Sequence, residues 1–203
     1  MKFYYIYDFF SAEIWARFFR TPEKIADELK RFPHHQSVLE IGTAEAYNLR
    51  ELVKNGVVSS ASGYDISERR LQRAKQRIER EGLSGKIALY SGDGEHLPFN
   101  DGQFDVVLLP QVLEHIPSRR GVIDLLVKCR RIGHEGLIVS LPLRDSKSLV
   151  IRLAKYIDPD HLRGLIQYRN GWIYDSNQVE QLFREIGFKV ERSETNDEFY
   201  RLR

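Results

Sequence analysis

The sequence predicts an α/β domain built on a doubly wound, mostly parallel sheet with helices on both faces. First, a short run from Val38 to Ile41, apolar except at Glu40, ends at Gly42 and gives way to apolar residues at helical spacing. Second, apolar runs alternate with amphipathic helical segments, as in parallel sheets with crossover helices. Third, the run from Phe104 to Leu109 is apolar enough for a central strand buried on both faces.

The segment before the first strand, residues 1–33, is predicted to form a helical lid over the edge of the sheet. Aromatic residues are frequent from Phe3 to Phe19, and Tyr7 and Trp15 lie on or beside one face of the helix that their spacing predicts. A helix that only packs on the core is the alternative. Thr21, which proline follows, is the predicted N-cap of a second helix.

The later elements follow in regular alternation, and residues 1–203 are predicted to form a single domain. They are a helix from Tyr47, a strand at Ala61–Asp65, a helix at Glu68–Glu81, strands at Lys86–Tyr90 and Phe104–Leu109, a helix at Gly121–Ile132, a strand at Gly136–Leu141, a helix at Asp175–Ile186, and strands at Phe188–Glu194 and Glu198–Arg203. The last two strands are expected to be antiparallel. Residues 142–171 are longer and less regular than an ordinary connection, so we interpret them as a functional insertion.

Composition and charge narrow the possible functions. The 31 Lys and Arg residues nearly balance the 29 Asp and Glu residues, which argues against a nucleic-acid partner and against a membrane-binding surface. Cys129 is the sole cysteine, which excludes an internal disulfide and fits a reducing compartment. No stretch has the length and apolarity of a membrane span or the pattern of a signal peptide, so we expect a cytoplasmic protein.

Acidic residues stand at or near the ends of the first two predicted strands. Glu40 lies inside a buried strand, where its carboxylate needs a partner. Asp65 follows Gly42 by 23 positions, close to the ~20-residue offset at which nucleotide-binding α/β folds place the acid that holds the ribose hydroxyls. A carboxylate suits a diol because it accepts two hydrogen bonds at once. The alternative is a capping role for Asp65 beside Ser67, the predicted N-cap of the next helix.

Polar residues also follow the third and fourth predicted strands. Asp93, between two glycines, can accept a hydrogen bond from an exocyclic amine while the next backbone N–H reaches a ring nitrogen. The fourth strand leads through Pro110 and Gln111 to His115, a candidate base. A structural role for this histidine is the alternative.

Four stretches, in this order, resemble the class I S-adenosylmethionine-dependent methyltransferases, especially their small-molecule branch. They are VLEIGTAEAYNL from Val38, GYDIS from Gly63, SGDGEHLPF from Ser91 and FDVVLLPQVLEHIPS from Phe104. Each lies at the end of a predicted strand, and GFKVERSE from Gly187 resembles the family's ending. The resemblance implies a Rossmann-like, seven-stranded sheet whose last strand is antiparallel, with S-adenosylmethionine across the strand ends and S-adenosylhomocysteine as product.

The resemblance also implies residue roles at the methionine end of the cofactor. Gly42 and Thr43 would form the turn beneath the methionine part, with Glu40 in support. Gln111 and Leu113 would flank the methionine moiety and the transferred methyl group. Residues 142–171 would then lie on the acceptor side.

At the adenosine end, the resemblance implies four further contacts. Asp65 would hold the ribose, Ile66 would pack on adenine, and Asp93 with the Gly94 amide would read the edge of the base.

The implied chemistry asks little of the protein, because a sulfonium methyl is already activated and transfer needs in-line placement and removal of a proton. His115 and His161 are the candidate proton acceptors, and Tyr7 and Trp15 are candidate contacts to the acceptor. The implied reaction is methylation of a small molecule at O, N or C. An RNA or protein acceptor is an alternative, and the sequence does not predict an oligomeric state.

The opening turn departs from the family, which carries three alternating glycines where this chain has Gly42, Ala44 and Ala46. A positive φ at Ala44 would cost roughly 1 kcal/mol or more. The departure weighs more heavily against a dinucleotide site, because a pyrophosphate needs the second glycine for close approach of the backbone. A non-catalytic, methyltransferase-like binding module is the remaining alternative.

Overall fold

The computed structural model describes residues 16, 17, 20–141, 143, 175–193 and 199–203. Most of the predicted insertion 142–171, and with it His161, lies outside the described residues. Tyr7 and Trp15 of the predicted lid do too. In the part of the chain that the structure describes, no helix is both long enough and apolar enough to cross a membrane.

A single sheet of seven strands organises the described residues, and its strand order is β3-β2-β1-β4-β5-β7-β6. The strands are β1 (Ser37–Ile41), β2 (Ser60–Asp65), β3 (Ile87–Ser91), β4 (Phe104–Pro110), β5 (Gly133–Ser140), β6 (Val190–Arg192) and β7 (Phe199–Leu202). Strands β1 to β5 pair in parallel, and β7 is antiparallel to both β5 and β6. The predicted mostly parallel sheet with an antiparallel last strand is confirmed.

Helices cover both faces of this sheet. They are α1 (Thr21–Leu29), α2 (Tyr47–Lys54), α3 (Glu68–Arg80), α4 (Arg119–Ile132) and α5 (Ser176–Glu185), with a short 3₁₀ helix at Leu113–His115. Helices α1, α2 and α3 bury their apolar stripes in one core layer, and α4 and α5 in the other. Successive residues of β4 serve opposite layers, Val106 the first and Val107 the second, as expected of a strand covered on both sides.

Helix α1 packs on the sheet near its antiparallel end. Glu28, 1% exposed, accepts hydrogen bonds from the side chains of Arg201 on β7 and Ser193 after β6. A buried carboxylate needs such partners, and these join α1 to the end of the chain. Residues 21–29 of the predicted lid therefore form a helix anchored on the core. Thr21 is not the N-cap: the helix begins at Thr21 and Arg20 is the cap, with a left-handed φ of 52°.

Candidate functional site

The turn after β1 lies at the carboxyl edge of the sheet, beside the end of β2. The Gly42 N–H donates to the Tyr64 carbonyl at 2.7 Å, and the Thr43 N–H donates to the same oxygen at 3.2 Å. Gly42 has φ +71°, and a Cβ added there would lie 2.8 Å from Cγ2 of Val112, which follows β4. Glycine is therefore needed both for the backbone conformation and for the approach of the segment after β4.

Ala44 and Ala46 adopt the left-handed conformation that glycines provide more easily. Their φ angles are 49° and 55°. The Ala44 N–H donates to Asp65 Oδ2 at 2.8 Å, and Ala46 is the N-cap of α2. The conformational cost expected for Ala44 is therefore present in the structure, and it extends to Ala46.

Glu40 has the partners that its buried position requires. Its side chain is 1% exposed. Thr43 Oγ1 donates to Glu40 Oε2 at 2.6 Å, and Asn48 Nδ2 donates to Oε1 at 2.6 Å. Burial raises the pKa of Glu40 to about 7, although both hydrogen bonds act in the opposite direction. Asn48 was not identified from the sequence as a partner of Glu40. Its position as a polar residue on the first turn of the helix after β1 was the signal that could have indicated this contact.

Asp65 links the first turn to the start of α3. Its Oδ2 accepts the Ala44 N–H, and its Oδ1 accepts the Ser67 N–H at 2.8 Å. The carboxylate is 7% exposed. Asp65 thus holds the backbone of Ser67, which caps α3 by accepting from the Arg70 N–H. Because each carboxylate oxygen has about two lone-pair sites, both oxygens keep capacity for ribose hydroxyls.

Ile66 follows Asp65 and is the most exposed large apolar residue of the described chain. Its side chain is 72% exposed. The strand pairing aligns Asp65 of β2 with Ser91 of β3. Ile66 and the loop after β3 therefore leave the same edge of the sheet from adjacent strands, where an apolar surface is available to a flat base.

The loop after β3 contains Asp93 and Gly94. Asp93 is exposed, and its Oδ1 accepts the Glu95 N–H at 2.9 Å. Gly94 has φ +79°, and its N–H donates to Tyr64 Oη at 3.4 Å. The amide expected to reach a ring nitrogen thus already has a partner, which sequence reasoning missed.

The segment that follows β4 lies at the same edge of the sheet. Gln111 is exposed, has φ 53°, and donates its N–H to the Ser140 carbonyl at 3.0 Å. Leu113 is 2% exposed and packs in the core layer of α4 and α5. Val112, which the sequence did not single out, contacts the Gly42 turn instead.

His115 ends the 3₁₀ helix that follows Gln111. Desolvation lowers its pKa, and the positive charge of Arg70 lowers it further. The imidazole is therefore neutral near pH 7 and able to accept a proton. His161, the other candidate base, lies outside the described residues.

The site combines groups that suit a nucleoside with a polar tail. Asp65 offers carboxylate oxygens, Ile66 an exposed apolar face, and Asp93 a further acceptor, each at the end of a different strand or just after it. The Gly42 turn lies at the same edge, bound to the end of β2. Among the described residues, no group of His, Cys, Asp and Glu side chains is arranged to hold a metal ion.

Comparisons with known proteins agree with this geometry. Residues 39–139, about half of the chain, match the family model described as "Methyltransferase domain". The sarcosine/dimethylglycine N-methyltransferase of Aphanothece halophytica is 29% identical over 110 residues, which cover 52% of this chain and 38% of that protein. The ubiquinone biosynthesis O-methyltransferase of Thiobacillus denitrificans is 29% identical over 140 residues, which cover 67% of this chain and 58% of that protein. The match thus spans less than two thirds of either relative.

A solved structure shares the fold. The magnesium protoporphyrin IX methyltransferase of Synechocystis PCC 6803, crystallised with S-adenosylhomocysteine, superposes with a TM-score of 0.62 at 18% identity. The superposition covers 90% of this chain and 80% of that one. At this level of identity the likeness establishes the common fold.

Proposed function

Because the chain belongs to the class I S-adenosylmethionine-dependent methyltransferases, we propose that it methylates a small molecule at O, N or C. S-adenosylmethionine is the cofactor, and S-adenosylhomocysteine is the product. The observation that carries the proposal is the convergence of Gly42, Asp65, Asp93 and Gln111 at one edge of the sheet, each from a different strand. In an open α/β sheet this carboxyl edge is where ligands bind.

The cofactor supplies an activated sulfonium methyl group, and the residues of the chain bind and orient it. Asp65 would accept hydrogen bonds from the ribose hydroxyls, and Ile66 would cover one face of adenine. The Gly42 turn, which Glu40 supports through Thr43 and Asn48, would hold the methionine end. Leu113 underlies this edge from the core, while Gln111 is exposed beside the expected position of the methyl group.

The chain's contribution to the chemical step would be placement of the acceptor and removal of its proton. His115 is supported by its lowered pKa, which leaves a neutral imidazole at physiological pH. His161 remains a candidate from the predicted acceptor-side insertion at 142–171. Tyr7 and Trp15 remain candidates for contact with the acceptor from the predicted lid.

A small-molecule acceptor is supported by two observations. The two curated relatives named above are an N-methyltransferase for sarcosine and dimethylglycine and an O-methyltransferase of ubiquinone biosynthesis. The charge of this chain is nearly balanced, with a formal net charge of +2. A polyanionic acceptor such as RNA would favour a much more basic surface.

Calorimetric titration tests the proposal directly. S-adenosylmethionine and S-adenosylhomocysteine should both bind, and ATP and NAD should not, because the turn with Ala44 and Ala46 is poorly suited to phosphates. Detection of S-adenosylhomocysteine release would then identify acceptors in a panel of amines, phenols and activated carbon acids. Failure of both S-adenosyl compounds to bind would contradict the proposal.

A further inference from the structure

We infer that Tyr64 and Lys128 are positioning residues that set how the site recognises the adenine base, an inference that rests on the proposed function. Tyr64 is the residue of β2 before Asp65 and is 3% exposed. Its hydroxyl donates to the His96 carbonyl at 3.2 Å and accepts the Gly94 N–H at 3.4 Å. One buried hydroxyl thus holds two points of the loop that follows β3.

The close approach of the loop to this hydroxyl is built into the sequence. A Cβ added at Gly92 would lie 1.9 Å from Tyr64 Oη and 2.6 Å from Cζ. The Gly92 N–H donates to the Asp65 carbonyl at 3.1 Å, which fixes the start of the loop to the end of β2. Because no larger residue fits at position 92 without displacing the ring, the loop and Tyr64 form one unit.

Lys128 holds the same loop from helix α4. Its Nζ donates to the Gly94 carbonyl at 3.3 Å and to the Glu95 carbonyl at 2.7 Å. Tyr64 therefore binds the N–H of Gly94 while Lys128 binds its carbonyl. These two side chains, from different elements, fix the orientation of the backbone next to Asp93.

This arrangement leaves the exocyclic amine to the Asp93 side chain, the role that the resemblance to the family implies for it. The Gly94 N–H is already engaged by Tyr64, and Asp93 Oδ1 accepts the Glu95 N–H. Asp93 Oδ2 has no hydrogen bond to any residue that the structure describes, and Asp93 is exposed. A carboxylate oxygen accepts from the amino group of adenine but is repelled by the carbonyl of hypoxanthine. The direction of Oδ2, and with it this discrimination, depends on Tyr64 and Lys128.

The test compares the dissociation constants of S-adenosylhomocysteine and S-inosylhomocysteine, which differ at the base position that Asp93 would recognise. We expect the wild-type protein to prefer the adenine compound by about tenfold or more, as expected for a hydrogen bond to a charged group. Tyr64→Phe and Lys128→Met should each reduce this ratio by about three- to fivefold, the effect of losing ordinary hydrogen bonds. Asp93→Ala should bring the ratio close to one.

Tyr90→Phe is the matched control, because the ring of Tyr90 packs on Phe99 as that of Tyr64 does. Its ratio should equal that of the wild type. An unchanged ratio in both Tyr64→Phe and Lys128→Met, with the wild type discriminating between the two compounds, would overturn the inference and leave the proposed function intact. Binding of neither compound to the wild type would overturn the proposed function, and the inference with it.

Discussion

Two turns at the carboxyl edge of the sheet require left-handed backbone, and they achieve it with different residues. The turn from Gly42 to Ala46 places Gly42 at φ +71° but also two alanines at φ 49° and 55°. The loop from Ser91 to Glu95 places Gly94 at φ +79°. A Cβ on Gly94 would come no closer than 4.0 Å to Leu125, so space does not require glycine there and only the backbone conformation does.

The difference lies in how firmly the backbone N–H of the left-handed residue is held in each turn. In the first turn, Ala44 donates to Asp65 at 2.8 Å, and Glu40 binds two side chains at 2.6 Å each. In the second, the Gly94 N–H has a long bond of 3.4 Å to a side chain of another strand. Short, mutually supporting hydrogen bonds offset the strain of an alanine, which costs about 1–2 kcal/mol in the left-handed region. Position 94, whose N–H makes only this longer bond to the described residues, keeps the glycine.

Replacement of Asp65 should have the largest effect, because this carboxylate joins the first turn to α3 and is the proposed ribose ligand. Asp65→Ala should weaken binding of S-adenosylhomocysteine by about 1.5–3 kcal/mol. It should also lower the free energy of unfolding by about 1–3 kcal/mol, because the Ala44 and Ser67 N–H groups lose their acceptor.

Calorimetry and thermal unfolding measure the two effects separately. Asp101→Ala is the control, since Asp101 forms an exposed ion pair with Arg131 and should change neither quantity appreciably. An Asp65→Ala variant with unchanged affinity would contradict the assignment of Asp65 to the ribose.

The pH dependence of stability tests the buried acid of the first turn. Folded Glu40 keeps its proton up to about pH 7, whereas its ordinary pKa is 4.5. The folded state therefore binds more protons between these values, so the stability from Glu40 is fully present below pH 4.5 and is lost as the pH rises through 7. The expected loss is on the order of 1–3 kcal/mol, from ~1.4 kcal/mol per pKa unit.

Glu40→Gln should remove the pH-dependent stability that Glu40 contributes. The melting temperature of this variant should therefore fall less between pH 5 and pH ~8 than that of the wild type. Glutamine can be accommodated because its amide oxygen can accept from Asn48 Nδ2 while its amide N–H donates to Thr43 Oγ1. Glu68→Gln, at the exposed start of α3, is the control and should keep the wild-type pH profile. Identical profiles for Glu40→Gln and wild type would refute the role of Glu40.

Placing a glycine in the first turn and an alanine in the second tests whether the two turns tolerate alanine differently. Ala44→Gly should raise the free energy of unfolding by about 0.5–1 kcal/mol. Relief of the backbone strain stabilises the folded state by more than the extra conformational entropy of glycine destabilises it. Gly94→Ala should lower it by about 1 kcal/mol and weaken cofactor binding, because the loop beside Asp93 is displaced. Denaturant unfolding gives both values.

Gly82→Ala provides the reference for backbone cost alone. Gly82 has φ +69° and an added Cβ would meet nothing within 4 Å. This variant should lose as much stability as Gly94→Ala without loss of affinity. A stabilised Gly94→Ala, or a destabilised Ala44→Gly, would show that the two turns differ for another reason.

The smallest effect is expected at Ile66, on the surface between the two turns. Ile66→Ser should change the free energy of unfolding by less than about 0.5 kcal/mol, because the side chain is 72% exposed. Binding of S-adenosylhomocysteine should weaken by about 1 kcal/mol, from loss of the apolar area that adenine would cover. Val127→Ser, at a 51% exposed position on α4, should leave affinity unchanged. Equal affinities for wild type and Ile66→Ser would remove Ile66 from the adenine site.

The strand order along the chain and the acidic residues at the strand ends were predictable from the sequence. The run around Val38 and the run from Phe104 are local apolar patterns, and both form strands close to the expected bounds. The positive φ of Ala44 was also foreseeable, because it depends on the position of that residue in a short turn. These features are local, since periodicity and turn geometry act over a few residues.

The contacts that hold the site were decided by tertiary structure. The register of β2 on β3 sets Tyr64 beside the loop that contains Gly94, and the packing of α4 brings Lys128 to the same loop. Val112 reaches Gly42 only because β4 lies next to β1. Sequence spacing carries no information on which buried hydroxyl or ammonium will meet a given backbone group, because that depends on the alignment of elements far apart in the chain.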